Sequence, residues 1–232
     1  MLVENELRNP PLHIDTHAHV ILPSTIRKTG RYGPDIVTNE QGRSSIRLGP
    51  YESRVGGEKG MTLEEFKAMG GDPLLRIKEL DSLGIDAMGV TISPLFYLYW
   101  AEDDARIPFA SIQNDAFATN CNTDPSRLFW MATLPLPNIE ASIAEVLRSV
   151  ALGARGINVG TGDFDGVELD DERLWPLYAE IEAAGLPLLG INQEASERSL
   201  KPPCRELPAP LRKNNTGGWP PDAACASGGH SF

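Results

Sequence analysis

Polar and apolar residues alternate near the start of the chain. Leu12, Ile14, Thr16, Ala18 and Val20 take one parity, and His13, Asp15, His17 and His19 take the other. A period of two predicts a strand with one apolar face and one polar face. From Leu22 to Met69 the pattern is irregular and rich in Gly, Pro and charge. A loop that long inside a compact protein is usually functional or unstructured. Within it, Ser44–Leu48 reads as a short strand of a hairpin, and Thr62–Glu65 as a capping box that opens a short helix.

A regular rhythm follows. Asp72 can cap a helix that starts at Pro73, runs to Leu83 and stops at Gly84. Ile85–Ser93 reads as a buried strand, and Asp104–Cys121 as a helix with an early interruption at Pro108. Leu128–Thr133 is a strand, and Asn138–Ala151 a helix capped by Asn138. Arg155–Val159 is a strand, Asp170–Ala184 a helix with Pro176 near its start, and Leu186–Ile191 a fifth strand. Strands that alternate with helices imply an α/β fold with parallel pairing.

After Asn192 the rhythm ends. Lys-Pro-Pro-Cys, Leu-Pro-Ala-Pro, Asn-Asn-Thr-Gly-Gly and Trp-Pro-Pro follow one another without a periodic segment. The expected organisation is a partial β/α barrel over residues 1–191 and a disordered or unrelated tail over 192–232. A complete eight-stranded barrel takes about 250 residues, so 232 residues with five strands predict an incomplete one. The abrupt change past Leu189 is what a shifted reading frame or an altered splice would leave.

Bulk properties narrow the function. A net charge of -11 repels phosphate backbones and argues against nucleic-acid binding. Cys121, Cys204 and Cys225 are odd in number and lack C-x-x-C spacing, so a disulfide scaffold is not expected and a reducing cytoplasm is. The charged N-terminal residues read as no signal peptide. The longest apolar run, Met88–Trp100, is broken by Pro94 and is too short to span a bilayer.

The candidate chemistry lies in Ile14-Asp15-Thr16-His17-Ala18-His19. Two histidines two apart on a strand point to one side and can bind one ion together. At the C-terminal end of a barrel strand they would face the mouth, where such enzymes keep their chemistry. Asp15, of the same parity and one layer deeper, could support an imidazole from behind. His13 lies deeper still and reads as a structural residue of the opposite end.

Ile14-Asp-Thr-His-Ala-His followed by Leu22-Pro23 resembles the opening of the amidohydrolase-related family, in its aminocarboxymuconate-semialdehyde decarboxylase branch. The similarity continues through Asp72-Pro-Leu-Leu-Arg-Ile-Lys-Glu-Leu-Asp, Pro94-Leu-Phe-Tyr-Leu-Tyr-Trp-Ala, Gln113-Asn-Asp, Thr133-Leu-Pro, Gly156-Ile-Asn-Val-Gly-Thr and Leu174-Trp-Pro-Leu-Tyr. It covers roughly residues 11 to 189.

The resemblance implies a metal-dependent hydrolase-type TIM barrel with one divalent ion, usually zinc. That ion is held by the strand-1 histidine pair, a strand-5 histidine and a strand-8 aspartate. A strand-6 histidine acts as acid and base, and a first-loop arginine grips the carboxylate of a small-molecule substrate. The implied reaction is decarboxylation of an unsaturated or aromatic carboxylate, with hydrolysis of C–N or lactone bonds as the alternative. A homodimer is compatible with it; nucleic acid and membrane are not expected partners.

Carried onto this chain, His17 and His19 are the metal ligands. Arg47 is the candidate carboxylate anchor, with Arg43 as competitor, and either is otherwise a solvated loop charge. Trp100 and Tyr97 would wall the substrate pocket, or else pack their loop on the barrel. Asn114 and Asp115 read as residues that hold neighbouring loops.

The chain departs from the pattern at the fifth strand, Pro187-Leu-Leu-Gly-Ile-Asn, where Ile191 stands in place of the third ligand. No histidine occurs between His19 and His230. The later acid/base histidine and aspartate have no counterpart, so no catalytic residue is identified. Glu194 and His230 are the remaining stand-ins for a ligand. A non-catalytic fragment is therefore the third expectation.

Overall fold

The computed structural model describes residues 12–49, 51–54, 71–161 and 167–191. Its elements, in chain order, are β1 (Ile14–His19), β2 (Asp35–Thr38), β3 (Ser44–Leu48), β4 (Tyr51–Arg54), α1 (Pro73–Leu83), β5 (Ala87–Thr91), α2 (Asp103–Cys121), β6 (Leu128–Thr133), α3 (Ile139–Ala151), β7 (Gly156–Gly160), α4 (Trp175–Ala183) and β8 (Leu188–Ile191). The Thr62–Glu65 capping box and the whole 192–232 segment, with Glu194 and His230, lie outside the described residues.

Five strands pair in the order β1-β5-β6-β7-β8. Every neighbouring pair is parallel. This is an open half of a parallel α/β barrel, in agreement with the five strands expected. The helices pack on its outer face, where Leu80, Phe109, Phe117, Trp130, Val146, Ile157 and Ile181 form one core.

The interior strand β7 is buried at all five positions. The two outer strands are not: Ile14 on β1 and Leu188 on β8 stay 47% and 42% exposed. A closed barrel has no such edges. Apolar side chains that closure would cover are open to solvent at both ends of this sheet.

Local chemistry explains the helix boundaries. The Asp72 carboxylate accepts hydrogen bonds from the Leu74 and Leu75 amides at 2.9 and 3.3 Å, and Pro73 occupies the first turn. Gly84 ends α1 with φ of 67°, a left-handed cap that glycine adopts without strain. Asp72→Ala is expected to cost about 1 kcal/mol, read as a lower urea midpoint with an unchanged slope.

α2 runs straight through Pro108 instead of breaking there. The proline removes the bond to the Asp104 carbonyl, but both residues are exposed, so water can take that carbonyl. The stretch expected as one helix over 170–184 divides into a short 3-10 turn, Glu172–Leu174, and α4, which carries Pro176 in its first turn.

Asn114 joins three elements. Its amide nitrogen donates to the Thr133 carbonyl at 2.9 Å and to Glu145 at 2.6 Å, and its oxygen accepts from the Thr133 amide at 2.9 Å. Buried Glu145 also accepts from Ser111 at 2.7 Å and from the Arg148 guanidinium at 2.7 and 2.9 Å. Asp115 forms an ion pair with Arg148 from the other side. A buried carboxylate is tolerable only when it is satisfied in this way. Asn114 and Asp115 hold α2 to β6 and α3, where the sequence alone reads them as holding neighbouring loops.

The hairpin strand predicted at Ser44–Leu48 is the middle of a three-stranded antiparallel sheet, β2-β3-β4. Trp100, in the loop after β5, packs edge-on against Tyr32 and Tyr51, with ring centroids 5.5 and 5.1 Å apart. Gly49 gives it room, since a Cβ there would lie 2.5 Å from the Trp100 ring. The small sheet is thereby pinned to the loop that leaves the C-terminal end of β5.

Candidate functional site

β1 does not run as a plain strand. Ile14 and Asp15 pair with Ala87 and Met88, while Ala18 and His19 pair with Val90 and Thr91. Thr16 and His17 together therefore face the single residue Gly89. This is a β-bulge, which re-aims side chains. Gly89 permits it: a Cβ there would lie 2.9 Å from the Thr16 carbonyl and 2.7 Å from the Phe129 ring.

The bulge leaves the two imidazoles convergent. His17 Nε2 and His19 Nε2 are 2.9 Å apart, and the rings meet nearly at right angles with centroids 4.6 Å apart. Metal–nitrogen bonds of about 2.0–2.1 Å would span that separation at an angle of about 90°. Two imidazole nitrogens aimed at one point fit a single divalent ion as two of its ligands. Among the described residues, no group of three or more His, Cys, Asp or Glu side chains comes together at any point.

Asp15 takes a different role from the one expected. Its Oδ1 accepts from the His17 backbone amide at 3.0 Å and so braces the bulge itself. The extra residue breaks the strict parity that would have carried Asp15 behind a ring. His13 sits at the opposite end, as expected. Its Nδ1 lies 3.2 Å from the Gly84 carbonyl, and its amide donates to Asp86 at 2.8 Å.

His19 lies on the open edge strand of the sheet. Partial desolvation, then the neighbouring His17, holds its pKa below the ordinary histidine value. A neutral imidazole is the form that binds metal.

Register extends the site beyond the histidines. His19 is the direct neighbour of Thr91, and Thr133 of Asn158, so each pair shares a face of the sheet. The near contact of Gly89 with Phe129 puts the β5 and β6 members on the same side. His19, Thr91, Thr133 and Asn158 thus stand on the inner face, near the C-terminal ends of four successive strands. Polar residues inside apolar strand runs were the available signal for the last three, which sequence reasoning passed over.

Tyr97 hydroxyl donates to Asn158 Oδ1 across β6, and Tyr99 hydroxyl accepts from the Gly160 amide at 3.3 Å. The two phenol rings are stacked, with centroids 4.8 Å apart. Burial raises the pKa of both, with Tyr99 adding to the rise at Tyr97. Both phenols stay neutral.

Arg47 lies on β3, half exposed, opposite Glu52, with the two side chains 3.3 Å apart. Ser45 donates to the same carboxylate. That hydrogen bond, ahead of Arg47, holds the Glu52 pKa below the ordinary glutamate value. Arg43 follows the β2–β3 turn, and its amide donates to Asn39 at 2.9 Å. Trp100 serves the packing described above. Depressions of about 480 and 510 Å3 open beside Pro23, Gly71 and Asn120, and beside Leu12, Asp86 and Arg127. The histidines line neither.

The amidohydrolase family model matches residues 14–199. The chain belongs to the amidohydrolase family. Its relatives include 2-amino-3-carboxymuconate-6-semialdehyde decarboxylase of Dictyostelium discoideum, 32% identical over 127 residues, which cover 54% of this chain and 35% of that protein. Among solved structures, apo IDCase of Metarhizium anisopliae matches with a TM-score of 0.61 at 23% identity, over 78% of this chain and 50% of the other. A dihydroxybenzoic acid decarboxylase of Polaromonas sp. JS666, solved with manganese and 2-nitroresorcinol, matches with a TM-score of 0.54 at 19% identity, over 76% and 48%. This amidohydrolase chain spans between about a third and a half of the length of these relatives. These structural neighbours have the TIM-barrel fold, and the five parallel strands are that fold in part. Decarboxylases of the family bind a divalent metal. Among the described residues, no helix is long and apolar enough to cross a membrane.

Proposed function

We propose that this chain carries the first-strand part of a metal-dependent decarboxylase site for an unsaturated or aromatic carboxylate. The observation that supports this most is the approach of the two histidine Nε2 atoms to 2.9 Å at the C-terminal end of β1. His17 and His19 would hold the ion. Imidazole donors suit zinc, and an angle near 90° also suits a six-coordinate ion such as manganese. When bound, the ion supplies a positive charge that stabilises the negative charge developing on oxygen as a C–C bond breaks.

The other residues bind and orient. Arg47 can grip a carboxylate by two parallel hydrogen bonds once it exchanges its partner Glu52. Glu52 is already satisfied by Ser45, which lowers the cost of that exchange. Trp100 fixes the small sheet that carries Arg47 at the barrel mouth. Binding of a benzoate-type carboxylate, followed by calorimetry on the metal-loaded chain, tests this role. Arg47→Ala is expected to weaken binding about tenfold and Arg43→Ala to leave it unchanged; the reverse order would move the anchor to Arg43.

The two-ligand count among the described residues favours a second reading, a chain that holds metal weakly and does not turn over. A catalytic ion normally keeps three protein ligands and one open position. Release of carbon dioxide from a muconate or hydroxybenzoate substrate, beyond the rate given by free metal, would decide for the first reading. Its absence, with zinc or manganese held only weakly, would decide for the second.

A further inference from the structure

Three buried polar atoms on the inner face have no hydrogen-bond partner among the described residues: Thr91 Oγ1, Thr133 Oγ1 and Asn158 Nδ2. All three residues are at most 1% exposed. Each unpaired polar group costs free energy, so such atoms are rare in folded proteins. Here they belong to three adjacent strands, and one of the residues, Thr91, is the register neighbour of His19. The other two such atoms among the described residues, Arg106 Nε and Ser142 Oγ, lie on α2 and α3; these three share one face of the sheet.

Asn158 is also held in a fixed orientation. The neutral Tyr97 hydroxyl donates to its oxygen, which commits the amide nitrogen, with two hydrogens, to the remaining side. Tyr97 is itself stacked on Tyr99, and Tyr99 is tied to the Gly160 amide. An amide that served only packing would need neither a dedicated phenol nor a free donor.

We propose that Asn158, oriented by Tyr97 and with the Thr133 hydroxyl beside it on the neighbouring strand, is a seat for an acceptor oxygen on the inner face of the sheet. Rigid donors aimed at a point where an oxygen sits cost no reorganisation on binding. The oxygen comes from a bound carboxylate, or from a neutral hydroxyl ligand. The first source rests on the function proposed above, and the second does not. Asn158 is a positioning residue, distinct from the metal pair.

Two measurements test the seat. The first uses the full chain without ligand and compares thermal stability of wild type, N158A and the double variant N158L/Y97F. The double variant replaces the amide and its phenol by apolar groups of similar shape. If the free amide donor exists for a ligand, the double variant melts no lower than wild type, because an unsatisfied polar group has been removed. A fall of several degrees would make Asn158 a structural residue and overturn the proposal.

The second measures benzoate affinity of the metal-loaded chain. N158A is expected to bind about tenfold more weakly, while its metal affinity stays that of wild type. A wild type that binds benzoate with no loss in N158A overturns the seat. A wild type that binds no carboxylate, beside a double variant that melts no lower than wild type, removes the proposed substrate class and leaves a neutral hydroxyl ligand as the source of the oxygen.

Discussion

Replacing either His17 or His19 by alanine is expected to lower the affinity for a single divalent ion on the order of a hundredfold or more. Loss of a residue that merely supports a ligand already costs about 10- to 100-fold, and here a ligand itself is removed. Only two nitrogens meet at the site among the described residues, so each variant leaves one. One imidazole holds an ion no better than any surface histidine. The double variant should therefore lose little more than either single one. Calorimetry with zinc and with manganese checks this, and equal affinity in wild type and H17A would mean that the rings do not share an ion.

The same pair sets a pH dependence. The His19 pKa lies below the ordinary histidine value through burial and the adjacent His17. A lowered pKa means that the proton leaves at lower pH, so His19 stays available to metal below the usual range. Affinity should be level above about pH 6.5, the ordinary value, and fall at lower pH as protons displace the ion. An affinity that rises on acidification would contradict this sign.

What could be read in the sequence depended on the range of the interaction. Asp72, Pro73 and Gly84 each act within one turn of the helix end they set, and α1 begins and ends where they place it. The convergence of His17 and His19 is likewise local, two residues apart on one strand. The bulge was not legible, because Gly89, which permits it, lies far along the chain and across the sheet. The inner polar row was hidden for a related reason. Thr91, Thr133 and Asn158 are single polar residues in apolar runs, and only strand register brings them to one face. Pro108 misled in the other direction: a break was expected, but exposure of the freed carbonyl let α2 continue. The Glu145 network also needed tertiary structure, since α2, β6 and α3 each supply a part.

Gly89→Ala offers the sharpest test of how the fold positions the metal pair. A methyl at this position would meet the Thr16 carbonyl at 2.9 Å and the Phe129 ring at 2.7 Å. Neither distance is tolerable, so something must move. The Thr16 carbonyl belongs to the bulge, and β1 is paired on one side only among the described residues. β1 therefore yields before the core does. The expected cost is about 2–3 kcal/mol, in the range for overpacking, seen as a lower melting temperature. More telling is the effect on metal. His17 is the other residue of the bulge, and a metal site tolerates errors of only about 0.2 Å. Metal affinity should fall about as far as in H17A, although Gly89 touches neither imidazole. Gly156→Ala is the control: its methyl would meet Pro187 at 3.2 Å and Met131 at 3.3 Å, away from β1. It should lower stability a little and leave metal binding alone. If Gly89→Ala destabilised the chain while metal affinity held, the histidines would owe their convergence to their own rotamers. The bulge would then be a feature of the sheet edge and not of the site.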